Sequence, residues 1–292
     1  MPARSIDHLV LPVVSIAAAR ERYEALGFTV AADARHPFGT ENACVFLADG
    51  TYLEPLGVGD PATCEEAARA GNVFVARHRA FRFRRGEGLS AIAIATDDAA
   101  GDDRRFREAG LSAGDILNFS RPVKMPDGGE SLAAFRLAFA ADLRAPDFFL
   151  FNCQRINPLP ADKSALTRHD NGVVSLKAVA IAEENPADFR LLLETAFDTH
   201  DIDAHGSGFE LSARGPRVIV TTPADLATRF GIESRYPGRG LSGLAVVFGC
   251  RDPGVTERRL AASGVAFERR AERLAVPPAP GQGVTFIFEE QA

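Results

Sequence analysis

Two short apolar runs near the start of the chain each carry one side chain that can ligate a metal or move a proton. They are His8, in Ile6-Asp7-His8-Leu9-Val10-Leu11, and Glu54, in Thr51-Tyr52-Leu53-Glu54-Pro55-Leu56. An imidazole or a carboxylate taken out of water is costly unless it is paired, hydrogen-bonded or ligated. Imidazole plus carboxylate suits divalent transition metals, and an inward carboxylate is also a general base. His8 and Glu54 are therefore half of a candidate site. Pro55 cannot donate a ladder hydrogen bond, so the strand carrying Glu54 is expected to end or to reach a sheet edge there.

These side chains need a scaffold, and the chain repeats one. The first segment reads strand (6–11), helix (16–26), Gly27, strand (28–32), then strands 43–47 and 51–56 joined by Ala48-Asp49-Gly50, whose Asp-Gly is a hairpin turn signal. This βαβββ order returns from residue 89, with a helix at 99–109 before Gly110 and strands at 131–139 and 147–152. Third and fourth copies begin at residues 174 and 241. Aligning Gly27 with Gly110 sets Ala91 opposite His8, so the architecture repeats and the histidine does not. A βαβββ unit leaves one sheet face bare and needs a second layer. The expected fold is α+β: four tandem βαβββ modules pairing into two curved mixed β-sheets with the helices outside. Residues 1–165 hold modules one and two, and 166–292 a more divergent pair. The boundary is expected at the loop 167–172, after Pro158 and Pro160.

Particular stretches resemble the vicinal oxygen chelate superfamily, in its glyoxalase-like branch. They are Ile6-Asp7-His8-Leu9-Val10, Ala25-Leu26-Gly27-Phe28, and His36-Pro37-Phe38-Gly39-Thr40-Glu41-Asn42 leading to Tyr52-Leu53-Glu54, which is similar to an HPxxGTxN loop followed by a YLE strand. The resemblance implies a divalent metal (Zn, Fe, Mn or Ni) in the concave sheet, with His8 and Glu54 as the ligands of one module. The run Phe148-Phe149-Leu150-Phe151-Asn152-Cys153-Gln154-Arg155 resembles the family's FFxCQH and offers Gln154 as the third ligand, with Arg155 where histidine is common. It also implies catalytic roles for Glu54 and His36, and substrate contacts from His36, Asn42, Arg121 and Arg155. His169-Asp170-Asn171-Gly172 resembles the family's HxNG linker, and Asn-Gly is foremost a turn signal. The implied activity is Lewis-acid stabilisation of an enediolate-type anion, a lyase or isomerase reaction on a small anionic oxygen-bearing substrate. A small-molecule sequestering protein with a degenerate metal site, or no metal at all, is the alternative, favoured by Ala91 and Arg155. An extradiol-type dioxygenase ranks lower, because only one strand histidine is placed for two-His-one-carboxylate iron. Pairing of the first module with the fourth would instead bring Glu289 to the site.

Bulk properties exclude other classes. A net charge of −6 over 292 residues gives no electrostatic case for nucleic acid, and no apolar run of about 18 residues is present to span a bilayer. The dense basic run Arg77-His78-Arg79-Ala80-Phe81-Arg82-Phe83-Arg84-Arg85 reads as a solvated connector between modules. Cys44, Cys64, Cys153 and Cys250 lack CxxC spacing and read as buried small hydrophobes. The N-terminal residues lack the charged and apolar regions of a signal peptide. The expectation is a cytoplasmic protein whose partner is a small-molecule substrate, with homodimerisation left open.

Overall fold

The computed structural model describes residues 3–124, 130–157, 164–234 and 238–291, so Pro158 and Pro160 lie outside the described residues. The first sheet is built from β1 (Ile6–Pro12), β2 (Ala34–Arg35), β3 (Thr40–Asn42), β4 (Val45–Phe46), β5 (Tyr52–Val58), β6 (Ala91–Ala95), β7 (Leu117–Lys124), β8 (Glu130–Ala140) and β9 (Phe149–Arg155). Its order is β2-β3-β5-β1-β6-β9-β8-β7, with β4 also on β5. Modules one and two thus join through the antiparallel pair β1–β6, and each closing strand runs parallel to its opening strand. Helices α1 (Ile16–Ala25) and α4 (Ala99–Glu108) start at the side-chain caps Ser15 and Asp98.

Three details depart from the sequence reading. Residues 28–33 form no strand, and the short β2 follows them. Pro55 does not end its strand: β5 continues to Val58 between β1 and the β3/β4 pair. The missing N–H is accommodated because the neighbour itself breaks at Ala43-Cys44, opposite Pro55, where Ala43 N–H donates to the Pro55 carbonyl at 3.4 Å. The basic run is not a connector. After α2 (Pro61–Arg69), it forms α3 (Val73–Arg85), whose Phe74, Val75, His78 and Phe81 are buried at helical spacing, with Phe74 and Val75 packed on Val10, Leu56 and Phe151. Arg84 and Arg85 fasten the end of this helix to Asp147 at 2.5 and 2.6 Å.

The second sheet repeats the plan with β10 (Val173–Ala182), β11 (Ile202–His205), β12 (Gly208–Ser212), β13 (Arg217–Thr221), β14 (Ser242–Cys250), β15 (Glu268–Arg270), β16 (Arg273–Val276) and β17 (Thr285–Glu290), ordered β11-β12-β13-β10-β14-β17-β16-β15. Helices α5 (Arg190–Phe197), α6 (Pro223–Phe230) and α7 (Pro253–Ala262) accompany it. Modules three and four pair with each other, so Glu289 belongs to this sheet, where it binds Lys177 and Arg273.

The registers superpose residue for residue. The β1–β6 pairs Ile6/Ile94, His8/Ala93, Leu9/Ile92 and Val10/Ala91 correspond to Leu176/Phe248, Ala178/Val247, Val179/Val246 and Ala180/Ala245, with a bulge at the same place in each. Glu54, paired with Val10, then corresponds to Ile219, paired with Ala180. The second concave face is accordingly apolar, with Ala178, Ala180, Ile219 and Ile287 packed on Leu226 and Phe230 of α6. No helix among the described residues is long and apolar enough to cross a membrane.

Candidate active site in the first sheet

His8 and Glu54 lie on neighbouring strands and face one cavity of about 80 Å³. Both are 5% exposed. His8 Nε2 stands 3.4 Å from Glu54 Oε2, and Nδ1 bonds Asp7 Oδ1 at 2.6 Å. Consecutive strand residues normally face opposite sides. Here the bulge between Ile6 and His8 leaves Asp7 unpaired and lets the two adjacent side chains meet. Asp7 is held in turn by Arg155, whose Nη2 lies 2.9 Å from each carboxylate oxygen. At the other end Asn42 Nδ2 donates to Glu54 Oε1 at 2.6 Å, and His36 Nε2 lies 3.8 Å from the same oxygen. A continuous polar line, Arg155–Asp7–His8–Glu54–Asn42, therefore crosses the floor of an otherwise aromatic cup.

The electrostatics follow from this alternation of sign. Burial opposes the charge on His8, but Asp7 and Glu54 on either side raise its pKa above the usual value. Burial likewise opposes ionisation of Glu54 and Asp7, yet His8, His36 and Asn42 lower the first, and His8 and Arg155 hold the second below the usual carboxylate range. His36 differs: burial, with Arg121 and His8 nearby, pushes it down to about 4, so it is a neutral ring at pH 7. Its Nδ1 lies 2.9 Å from Thr40 Oγ1, and its ring stacks on Phe38 with centroids 5.0 Å apart.

The signs give a pH prediction. The folded pKa of His36 lies below the 6.5 of an unperturbed imidazole, so the folded protein protonates it later than the unfolded chain does. Its effect is a loss of stability as pH falls from 6.5 toward 4. His8 acts oppositely, since its raised pKa gives a contribution that is complete below 6.5 and lost as pH rises through the folded value. The contributions of Asp7 and Glu54 are present above their unfolded values and are lost in acid. Urea midpoints between pH 4 and 6.5 should therefore slope less steeply in His36→Phe than in wild type, and equal slopes would refute the assignment.

The position of His36 depends on Gly39. This glycine closes the β2–β3 turn with φ +90°, its N–H donates to the His36 carbonyl at 3.1 Å, and its carbonyl accepts from Gly59 and Asp60. A Cβ there would stand 2.7 Å from the Asp60 carbonyl oxygen and 2.8 Å from Cys64 N, both backbone atoms with little room to yield. Gly39→Ala should cost about 2–3 kcal/mol in denaturant unfolding. A cost under about 0.5 kcal/mol would contradict this account.

The structure brings together His8, His36, Asn42, Glu54, Arg121 and Arg155, all of which line the cavity. It does not bring Gln154. Along β9 the side chains alternate, so Phe151, Cys153 and Arg155 face the cup and Gln154 faces away. The Gln154 amide instead binds the start of α4, accepting from Ala99 N–H at 3.2 Å and donating to the Asp97 carbonyl at 2.6 Å. Its expected role as third ligand is thus corrected. Among the described residues no three His, Cys, Asp or Glu side chains could hold a metal ion. Register explains why: the second-module counterparts of His8 and Glu54 are Ala91 and Phe151, both apolar. The donor set does not fit the expected metal cage. His169 stands outside the cavity, where Nδ1 accepts from Thr29 N–H at 3.0 Å and the other nitrogen meets the Phe46 carbonyl, joining the linker to the first module. His200 and His205 are exposed.

Sequence reasoning missed Asp7, the partner of His8, and the ring wall formed by Phe38, Phe74, Phe119 and Phe135. Period-2 alternation along residues 151–155 was the signal available for β9, whereas the bulge at Asp7 leaves no mark in composition or spacing.

A fold of paired βαβββ units with its polar residues on the concave face of one sheet defines a vicinal oxygen chelate scaffold. The family model for the glyoxalase-like domain matches residues 6–197, more than half of the chain, and the chain belongs to that family. No curated protein sequence matches it. Among solved structures, a hypothetical protein from Staphylococcus aureus is similar at 12% identity and TM-score 0.69, over 98% of this chain and 99% of that one. A mutant of 4-hydroxymandelate synthase from Streptomyces coelicolor is similar at 17% identity and TM-score 0.61, over 100% of this chain and 95% of that one. A xylose isomerase-like TIM barrel/4-hydroxyphenylpyruvate dioxygenase fusion protein is similar at 16% identity and TM-score 0.53, over 100% of this chain and 50% of that one. At these identities the likeness is one of fold.

Proposed function

We propose that the cup of the first sheet binds a small oxygen-bearing carboxylate and moves a proton at the carbon beside its oxygens, a lyase or isomerase reaction through an enediolate-type anion. The observation that carries this reading is His8, buried and facing the cavity between the carboxylates of Asp7 and Glu54. Glu54, kept ionised by its neighbours, takes the proton from carbon and returns it. His8, whose protonated form the carboxylates of Asp7 and Glu54 favour, donates a hydrogen bond to the oxygen on which negative charge develops. Arg121 lines the cavity, where its guanidinium can bind the substrate carboxylate. Neutral His36 and the phenylalanine rings exclude water and orient the ligand. At about 80 Å³ the cavity has room for about three waters, which limits the ligand to a compact molecule.

Members of the superfamily typically hold a divalent metal. A Zn, Fe, Mn or Ni ion would here meet His8 and Glu54 from one module and only Ala91 and Phe151 from the other, so no step above is routed through an ion. The same apolar pair favours a second reading, a sequestering protein that binds without turnover.

A panel of 2-hydroxy and 2-oxo acids in deuterated buffer with chelator, followed by NMR, separates these readings. The expected result is saturable binding with loss of the proton signal at the carbon beside the oxygens. Binding without exchange selects the sequestering reading, exchange restored only by added metal selects a metalloenzyme, and no binding of any small carboxylate refutes the proposal.

A further inference from the structure

Helix α3 carries a second polar site that the cup chemistry does not use. His78 is 2% exposed, and neither of its ring nitrogens has a hydrogen-bond partner. Arg82, one turn further along the helix, has Nε and Nη1 buried and likewise without a partner. Residues four apart lie on one helix face, about 5–6 Å between Cβ atoms, and the charge of Arg82 acts directly on His78. The flanking face of α3, through Phe74 and Val75, packs on Val10, Leu56 and Ala91, which supply no acceptor.

The two acids within electrostatic reach are already engaged. Glu87 accepts from Val14 N–H and Gly281 N–H, both at 2.7 Å, one on each oxygen. Glu54 is held by Asn42 and His8. Two guanidinium N–H groups buried without an acceptor on a partly exposed arginine, beside a buried imidazole without a partner, are costly to leave unmet. Buried N–H groups in native proteins are almost always satisfied, by water or an ion where protein supplies no acceptor. One positive charge and unmet N–H donors one helical turn apart suit an acceptor that is small, monovalent and negative.

We propose that α3 binds a halide-sized anion between His78 and Arg82, as a structural ligand of the wall that carries Phe74 into the cup. The site is independent of the reaction assigned to His8 and Glu54. Its donors are the Arg82 Nε–H and Nη1–H groups and one N–H of His78. Occupancy neutralises Arg82 and ties two successive turns of α3 together, directly below the turn that bears Phe74.

The test compares thermal unfolding in sodium bromide and in sodium gluconate at equal ionic strength. The expected result is a saturable rise in Tm with bromide, roughly 3 °C for each tenfold of halide above its dissociation constant. Arg82→Met, which keeps the apolar stem, should remove the halide dependence. Anomalous diffraction from bromide-soaked wild-type crystals decides the matter even where that variant does not fold. A peak within hydrogen-bond distance of Arg82 and His78 nitrogens supports the proposal. Water alone at that place, or no anomalous peak there, overturns it whatever the melting curves show, and so does identical melting in the two salts.

Discussion

Glu54→Gln should lower the rate of proton exchange in the bound acid by about 10²–10⁴-fold, the range for removal of a positioned general base. Glutamine matches glutamate in size, and its oxygen still accepts from Asn42 Nδ2, so the fold and ligand binding should persist. What disappears is the only cavity-facing carboxylate within reach of His8 Nε2 among the described residues, and with it the acceptor for the carbon-bound proton. His8 also loses one of the two anions that raise its pKa, which weakens its hydrogen bond to the developing oxyanion. NMR exchange rates with affinity measured in parallel test this: a rate within threefold of wild type would remove Glu54 from the reaction.

Arg155→Met should destabilise the fold by stranding the carboxylate of Asp7. The Asp7 side chain is only 10% exposed, and Arg155 supplies its only guanidinium partner among the described residues. Breaking one side of a fully buried ion pair costs about 3–5 kcal/mol because the remaining charge is stranded. Arg155 is 36% exposed and His8 remains with Asp7, so solvent screening reduces the expected cost to about 2 kcal/mol. Methionine keeps the apolar stem and removes the guanidinium, which lies over Tyr52 and Phe135 as well as beside Asp7. A double-mutant cycle with Asp7→Asn should give a coupling energy above about 1 kcal/mol in urea unfolding. Additive effects would mean that the pair does not act as a unit.

Much of this molecule could be read from residues alone, for identifiable reasons. The βαβββ rhythm showed because strand alternation, a helix and a following glycine recur in one order, and hydrophobic periodicity survives divergence. His8 and Glu54 could be paired because a closing strand lies parallel to its opening strand in such a module. Gln154 was misplaced because a resemblance between runs transfers residue types without transferring facing, and one step along a strand reverses the face. Helix α3 was overlooked because six arginine and histidine residues in a short run dominate its composition. Its apolar stripe at Phe74, Val75 and Phe81 was nevertheless present at helical spacing. The family resemblance assigns Arg155 to the substrate, whereas its engagement with Asp7 depends on a bulge that only the folded register reveals.

The bulge recurs in the second sheet, where Lys177 replaces Asp7 and its ammonium reaches Glu289 at 2.8 Å on the closing strand. One half thus uses an acid on the opening strand and a base on the closing strand, and the other half reverses the polarity. The chain therefore contains its own control experiment. Two frameworks with the same register and the same kink share one solvent and one molecule, and differ in whether the concave surface is wired with charge or packed with hydrocarbon. Hydrogen-exchange rates compared between β1 and β10 within a single sample would isolate what carrying a reactive interior costs a sheet in rigidity, with no second protein needed for reference.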